Sequence, residues 1–171
     1  MATFVALLRS INVGGTGKLP MADLRKLGER CGFTSVKTYI ASGNVVLDAT
    51  VPAAQVKAKL ESALLRPMGK PCLVFIRTAD ELEAALAANP WPDANPSRTI
   101  ITFLDTAPPK DAIKGWPIPG KEQMALVGRE LHLHFPDGQA DTKLKVPFAD
   151  IGTGRNLNTV RALLALARDR E

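Results

Sequence analysis

The chain opens with an apolar run, TFVALL over Thr3 to Leu8, which is too short for a helix and is followed by glycines, so it predicts a buried strand. From Pro20 the apolar positions change period: Met21, Leu24, Leu27 and Cys31 recur at helical spacing, and Gly32 supplies a stop. VKTYIASGNVVLD then reads as two β-rich runs around Ser42, Gly43 and Asn44, residues suited to the positive φ of a tight hairpin. Between Pro52 and Met68, Ala53, Val56, Leu60, Ala63 and Leu64 repeat with a helical period, and Pro67 and Gly69 mark the end. PCLVFI, Pro71 to Ile76, is apolar on both faces and predicts a covered strand.

This order, strand, helix, strand, strand, helix, strand, is that of a ferredoxin-like βαββαβ sandwich. The expected fold class is therefore α+β, with a ferredoxin-like subdomain over residues 1–77. The second, smaller α+β subdomain spans 78–171, and the two can pack as one compact unit. In it a helix over ADELEAALAAN precedes the loop PWPDANPS and a strand, RTIITFL. A Pro- and Lys-containing connection leads to a hairpin, EQMALVG and RELHLHF, turning at Gly128-Arg129. A polar loop follows, and then a last helix over Thr159 to Arg168, with Asn158 placed to cap it.

Composition narrows the class. With 46% hydrophobic and 23% charged residues the chain is of ordinary globular type. No apolar run approaches the roughly 18 residues of a membrane span. The N-terminus lacks a basic lead-in and meets Arg9 before a signal-peptide core develops, so a soluble, cytoplasmic protein without membrane attachment is expected. The two cysteines, Cys31 and Cys72, have no CxxC spacing and read as small core residues. The net charge of +5 divides unevenly: residues 1–77 carry 11 Lys and Arg against 4 Asp and Glu, a net +7, whereas residues 78–171 carry a net −2. A basic half attracts phosphate, nucleic acid or acidic metabolites, with a solvated basic face as the competing reading.

The βαββαβ order says where polar loops meet. Right-handed crossovers make the first and second strands parallel with the third between them. The end of strand one, the start of helix one, the hairpin and the end of helix two then share one edge. That edge gathers Arg9, Asn12, Gly14, Gly15, Gly17 and Lys18, then Ser42, Gly43 and Asn44, then Arg66 and Lys70. Four of these eleven are basic and none is acidic. Glycines that expose backbone N–H groups beside a helix N-terminus suit a phosphate or carboxylate, while simple chain turning stands as the alternative. The loop is no Walker motif, because Asn12 occupies the place of the first glycine and Leu19 follows Lys18.

Other constellations carry less. Glu130, His132 and His134 alternate with Leu131, Leu133 and Phe135, so the three share a strand face. They are expected to face solvent, and no metal site or cofactor is predicted. Asp80, Glu81 and Glu83 are expected to favour the dipole at a helix start. Trp91 and Trp116, each before a proline, are expected to plug loops onto the core. GTGRNLNT, Gly152 to Thr159, reads as a capped helix start in which Arg155 and Asn156 exceed what capping needs, so both join the ligand-binding candidates, with pinning the two halves together as the alternative.

Four stretches together resemble a bacterial family of unknown function, domain of unknown function 1697. They are ALLRSINVGG, KLPMADL, YIASGNVV and TGRNLNTV, with Ser10, Gly154 and Leu157 departing from the family pattern. The resemblance spans essentially the whole chain and implies an α+β, ferredoxin-like architecture with no established activity.

Three functions compete on this reading. The first is a binder of a small anionic ligand, a nucleotide or phosphometabolite, through Arg9, Asn12, Gly14, Gly15, Lys18, Ser42, Gly43 and Asn44. The second is nucleic-acid binding, disfavoured because strand one offers only Phe4 for stacking and strand three no aromatic. The third is an interaction or structural module with no small ligand. No acid, base or nucleophile can be named, which leaves enzymatic activity open, and oligomeric state is not legible.

Overall fold

The computed structural model describes residues 1–9, 19–39 and 43–170. The chain forms two compact units, Met1–Leu82 with Ala162–Glu171, and Glu83–Arg161.

The first unit has the βαββαβ order: β1 (Ala2–Leu8), α1 (Met21–Arg30), β2 (Thr34–Tyr39), β3 (Asn44–Ala49), α2 (Ala53–Met68) and β4 (Val74–Arg77). Its sheet runs β2-β3-β1-β4 with every neighbouring pair antiparallel, the ferredoxin-like arrangement. Alternation along the strands sends Phe4, Ala6, Leu8, Val45, Leu47, Val74 and Ile76 to one face. There they meet Leu24 and Leu27 of α1 and Val56, Leu60 and Leu64 of α2 in one core. Gly28 lets α1 lie close on β2, since a Cβ there would stand 3.1 Å from Val36 Cγ1. The β2–β3 register shifts between Thr34 and Lys37, where Ser35 takes a positive φ of 49°. α2 passes through Pro67 and stops at Gly69, whose φ of 69° admits the left-handed cap.

β4 is an edge strand, and α2 blunts it. Glu61 accepts from Val74 N at 2.9 Å, and Lys57 Nζ donates to Val74 O at 2.7 Å while pairing with Glu61 at 2.6 Å. The second face of the sheet receives the end of the last helix. Arg170 there donates to Ser35 O and stands 3.5 Å from Asp48, which in turn accepts from Thr3 Oγ1 at 2.7 Å.

α3 (Ala79–Ala87) carries the chain into the second unit, and α4 (Leu157–Arg168) carries it back. α3 opens with a capping box: Thr78 Oγ1 accepts from Glu81 N at 3.1 Å, and Glu81 Oε1 accepts from Thr78 N at 2.9 Å. Glu81 thus serves the helix start through two specific bonds besides its charge.

The second unit holds β5 (Thr99–Phe103), β6 (Gln123–Val127), β7 (Glu130–His134) and β8 (Thr153–Asn156) in the antiparallel order β6-β7-β5-β8. Leu131, Leu133, Phe135 and Leu144 form its core with Ile100, Trp116, Met124 and Phe148 packed against them. Two expectations are corrected here. The polar stretch before the last helix is a strand, β8, because its backbone pairs with β5 from Ile100↔Asn156 to Phe103↔Thr153. The last helix starts at Leu157, and its cap is Asn156, whose Oδ1 accepts from Thr159 N at 2.9 Å. Asn158 is exposed and donates to Ser97 Oγ at 3.1 Å.

Candidate functional site

Strand pairing builds the first-unit edge from the backbone outward. Leu7 stands opposite Asn44, and the next amide, Leu8 N, donates to Gly43 O at 2.9 Å. Arg9 N donates to Leu73 O at 2.9 Å, and the Cys72 thiol lies 3.5 Å from Arg9 O. Arg9, half-buried at the exit of β1, is therefore held between the hairpin on one side and the α2–β4 connection on the other. Gly43 takes a φ of 80°, which a side chain at that turn would disfavour. Asn44 is fully buried, and its amide donates to Tyr39 O at 3.0 Å, bracing the hairpin. Asn12, Gly14, Gly15, Lys18 and Ser42 lie outside the described residues.

The end of α2 and the connection after it carry two exposed cations. Arg66 occupies the last turn of α2, and Lys70 follows the Gly69 cap. α1 has Pro20 at its N-cap position, with no side-chain cap, and one carboxylate, Asp23, in its first turn. Burial raises the Cys72 thiol above its ordinary pKa, against the bond to Arg9 O and the nearby cations Lys70 and Arg9, which lower it. The thiol is thus kept neutral, a weak donor at the root of the loop.

Arg155 and Asn156 belong to the second unit. Arg155 is 7% exposed on β8, donating to Thr153 Oγ1 at 2.7 Å and to Gly154 O at 2.9 Å. Burial lowers its guanidinium to about 10. Asn156 caps α4, as described above.

The Glu130, His132 and His134 face departs from expectation. It does not face solvent along its length: His132 is 0% exposed, opposite Ile101 on β5 and Ala125 on β6. Burial depresses its imidazole to about 4. His134 keeps partial exposure, bonds Gln123 Oε1 through Nδ1 at 2.9 Å and meets the Trp91 ring at 5.8 Å. Among the described residues no group of three His, Cys, Asp or Glu stands where it can hold a metal ion. Alternation located the shared face, but no sequence signal told which part of that face would be covered.

The fold is that of an α+β protein in which a ferredoxin-like unit is joined to a unit with its own four-stranded antiparallel sheet. The chain belongs to the family described as Protein of unknown function (DUF1697), whose match spans residues 1–132. Its fold is similar to that of a structure described as the conserved bacterial protein SP0830 from Streptococcus pneumoniae. The likeness has 24% identity and a TM-score of 0.78, and covers 96% of this chain and 98% of that one. No curated protein matches the chain. Among the described residues, no helix is long and apolar enough to cross a membrane.

Proposed function

We propose that the protein binds a small anionic ligand, a nucleotide or phosphometabolite, at the first-unit edge around Arg9 and the β2–β3 hairpin. The observation that supports this reading is the double tether at the exit of β1, Leu8 N to Gly43 O and Arg9 N to Leu73 O, each 2.9 Å. Through it Arg9 leaves the sheet between a hairpin and the connection that follows Arg66 and carries Lys70. Asn12, Gly14, Gly15, Lys18 and Ser42 complete the proposed site by sequence position. Arg155, bonded to Thr153 Oγ1 and Gly154 O, and Asn156, which caps α4, stay among the candidate ligand-binding residues from the second unit. A cytoplasmic setting accords with two unpaired cysteines, since oxidising compartments favour disulfides.

The test is a thermal-shift titration with nucleotides, sugar phosphates, inorganic phosphate and short oligonucleotides, on the wild-type protein and on Arg9→Ala with Lys70→Ala. Specific binding adds about 2.7 kcal/mol at a hundredfold excess over Kd, a rise of several degrees for a chain of this size. The expected result is a shift with one phosphorylated small molecule that the double variant abolishes. Equal shifts in both proteins, or none with any anion, would sink the reading.

A further inference from the structure

The β5–β6 connection and the segment after β7 build a second feature, within the second unit. Trp116, Pro117, Ile118 and Pro119 wall a cavity of about 580 Å³, and Lys143 and Lys145 complete its lining. That volume falls within the roughly 300–1,000 Å³ typical of small-molecule sites. The walls are stiff. Each proline fixes its own φ, and Trp116 is pinned by its indole N–H donating to Lys145 O at 2.7 Å and its peptide N–H to Ile113 O at 3.0 Å. Trp116 also packs against the second core, so the slot is anchored to the sheet.

A polar inventory of the lining narrows what fits. Proline and isoleucine side chains carry no polar atom, and the indole donor is already engaged. The two exposed ammonium groups are therefore the polar side-chain groups left to meet a ligand, and no carboxylate lines the cavity. Ile118 meanwhile stays 45% exposed, apolar area that a ligand would remove from water.

We propose that this slot binds a small amphipathic carboxylate, its apolar tail against Trp116 and Ile118 and its head between Lys143 and Lys145. An uncharged apolar ligand would leave both cations unused. A proline-rich peptide would use the tryptophan and likewise leave them without a partner.

Trp116 supplies the readout. The chain has two tryptophans, so Trp91→Phe makes Trp116 fluorescence the sole indole signal. This variant is titrated with octanoate, with octanamide as the uncharged counterpart, and with a proline-rich peptide. The expected result is saturable change with octanoate, about tenfold weaker for octanamide and for the added Lys143→Ala and Lys145→Ala changes. Ile118→Glu, at an exposed position, is expected to abolish the change while circular dichroism and Tm stay as in the parent. No saturable change with octanoate, equal binding of octanoate and octanamide, indifference to the lysines, or saturation by the peptide alone would each overturn the proposal.

Discussion

A neutral imidazole can be buried at modest cost, but an imidazolium without partners cannot. His132 is fully buried, neither ring nitrogen finds a hydrogen-bond partner among the described residues, and burial depresses its pKa from 6.5 to about 4. The unfolded chain therefore binds a proton that the folded chain refuses between those values, and stability rises with pH through that window. The stabilisation is complete above about pH 6.5, is lost as pH falls toward 4, and amounts to roughly 3 kcal/mol. Urea unfolding at pH 7 and pH 4.5 is expected to show this loss in wild type and to lack that share of it in His132→Leu. Gly152 offers a steric counterpart. A Cβ there would lie 2.8 Å from Leu104 Cδ2 and 2.9 Å from Phe103 O, and a backbone atom has little room to retreat. Gly152→Ala is expected to cost about 2 kcal/mol or more, read as a lowered urea midpoint with unchanged m. Neither effect was legible in the sequence, because burial of a polar residue and close approach at a glycine are both properties of what lies opposite.

At the scale of elements, the sequence spoke clearly where the signal is local. The helical period of Val56, Leu60 and Leu64 and the Gly69 stop place α2 within a residue of its observed bounds. β8 spoke hardly at all: TGRN has neither an apolar run nor β-branched enrichment beyond Thr153, and it is a strand because β5 offers it an open edge. The cap of α4 moved with it. Asn156 and Asn158 are equally good capping types, and the ladder that ends at Asn156 selects between them. Asn156→Ala is therefore expected to cost about 1 kcal/mol and Asn158→Ala only a few tenths, as measured by chemical denaturation. Equal costs would return the cap to the position that the sequence pattern suggests.

At the scale of the whole molecule, charge is divided along the chain: residues 1–77 carry a net +7 and residues 78–171 a net −2. A basic half of that size raises the local concentration of anions and is screened by salt over a Debye length of roughly 8–10 Å. For whichever phosphorylated ligand shifts the melting temperature, the association rate is expected to fall several-fold between about 0.05 and 0.5 M salt, with a smaller change in dissociation. Stopped-flow mixing separates the two. A rate indifferent to salt would count against an electrostatically steered site. The sequence by itself determined the βαββαβ order and the α+β class, because apolar period and glycine and proline stops are carried by neighbouring residues. Only the tertiary structure decided that a polar tetrapeptide is a strand, that His132 is sealed and His134 is not, and that Trp116 and two distant lysines line one cavity. Those outcomes depend on which segment comes to lie against which, and a chain's local pattern carries no record of the surface it will meet.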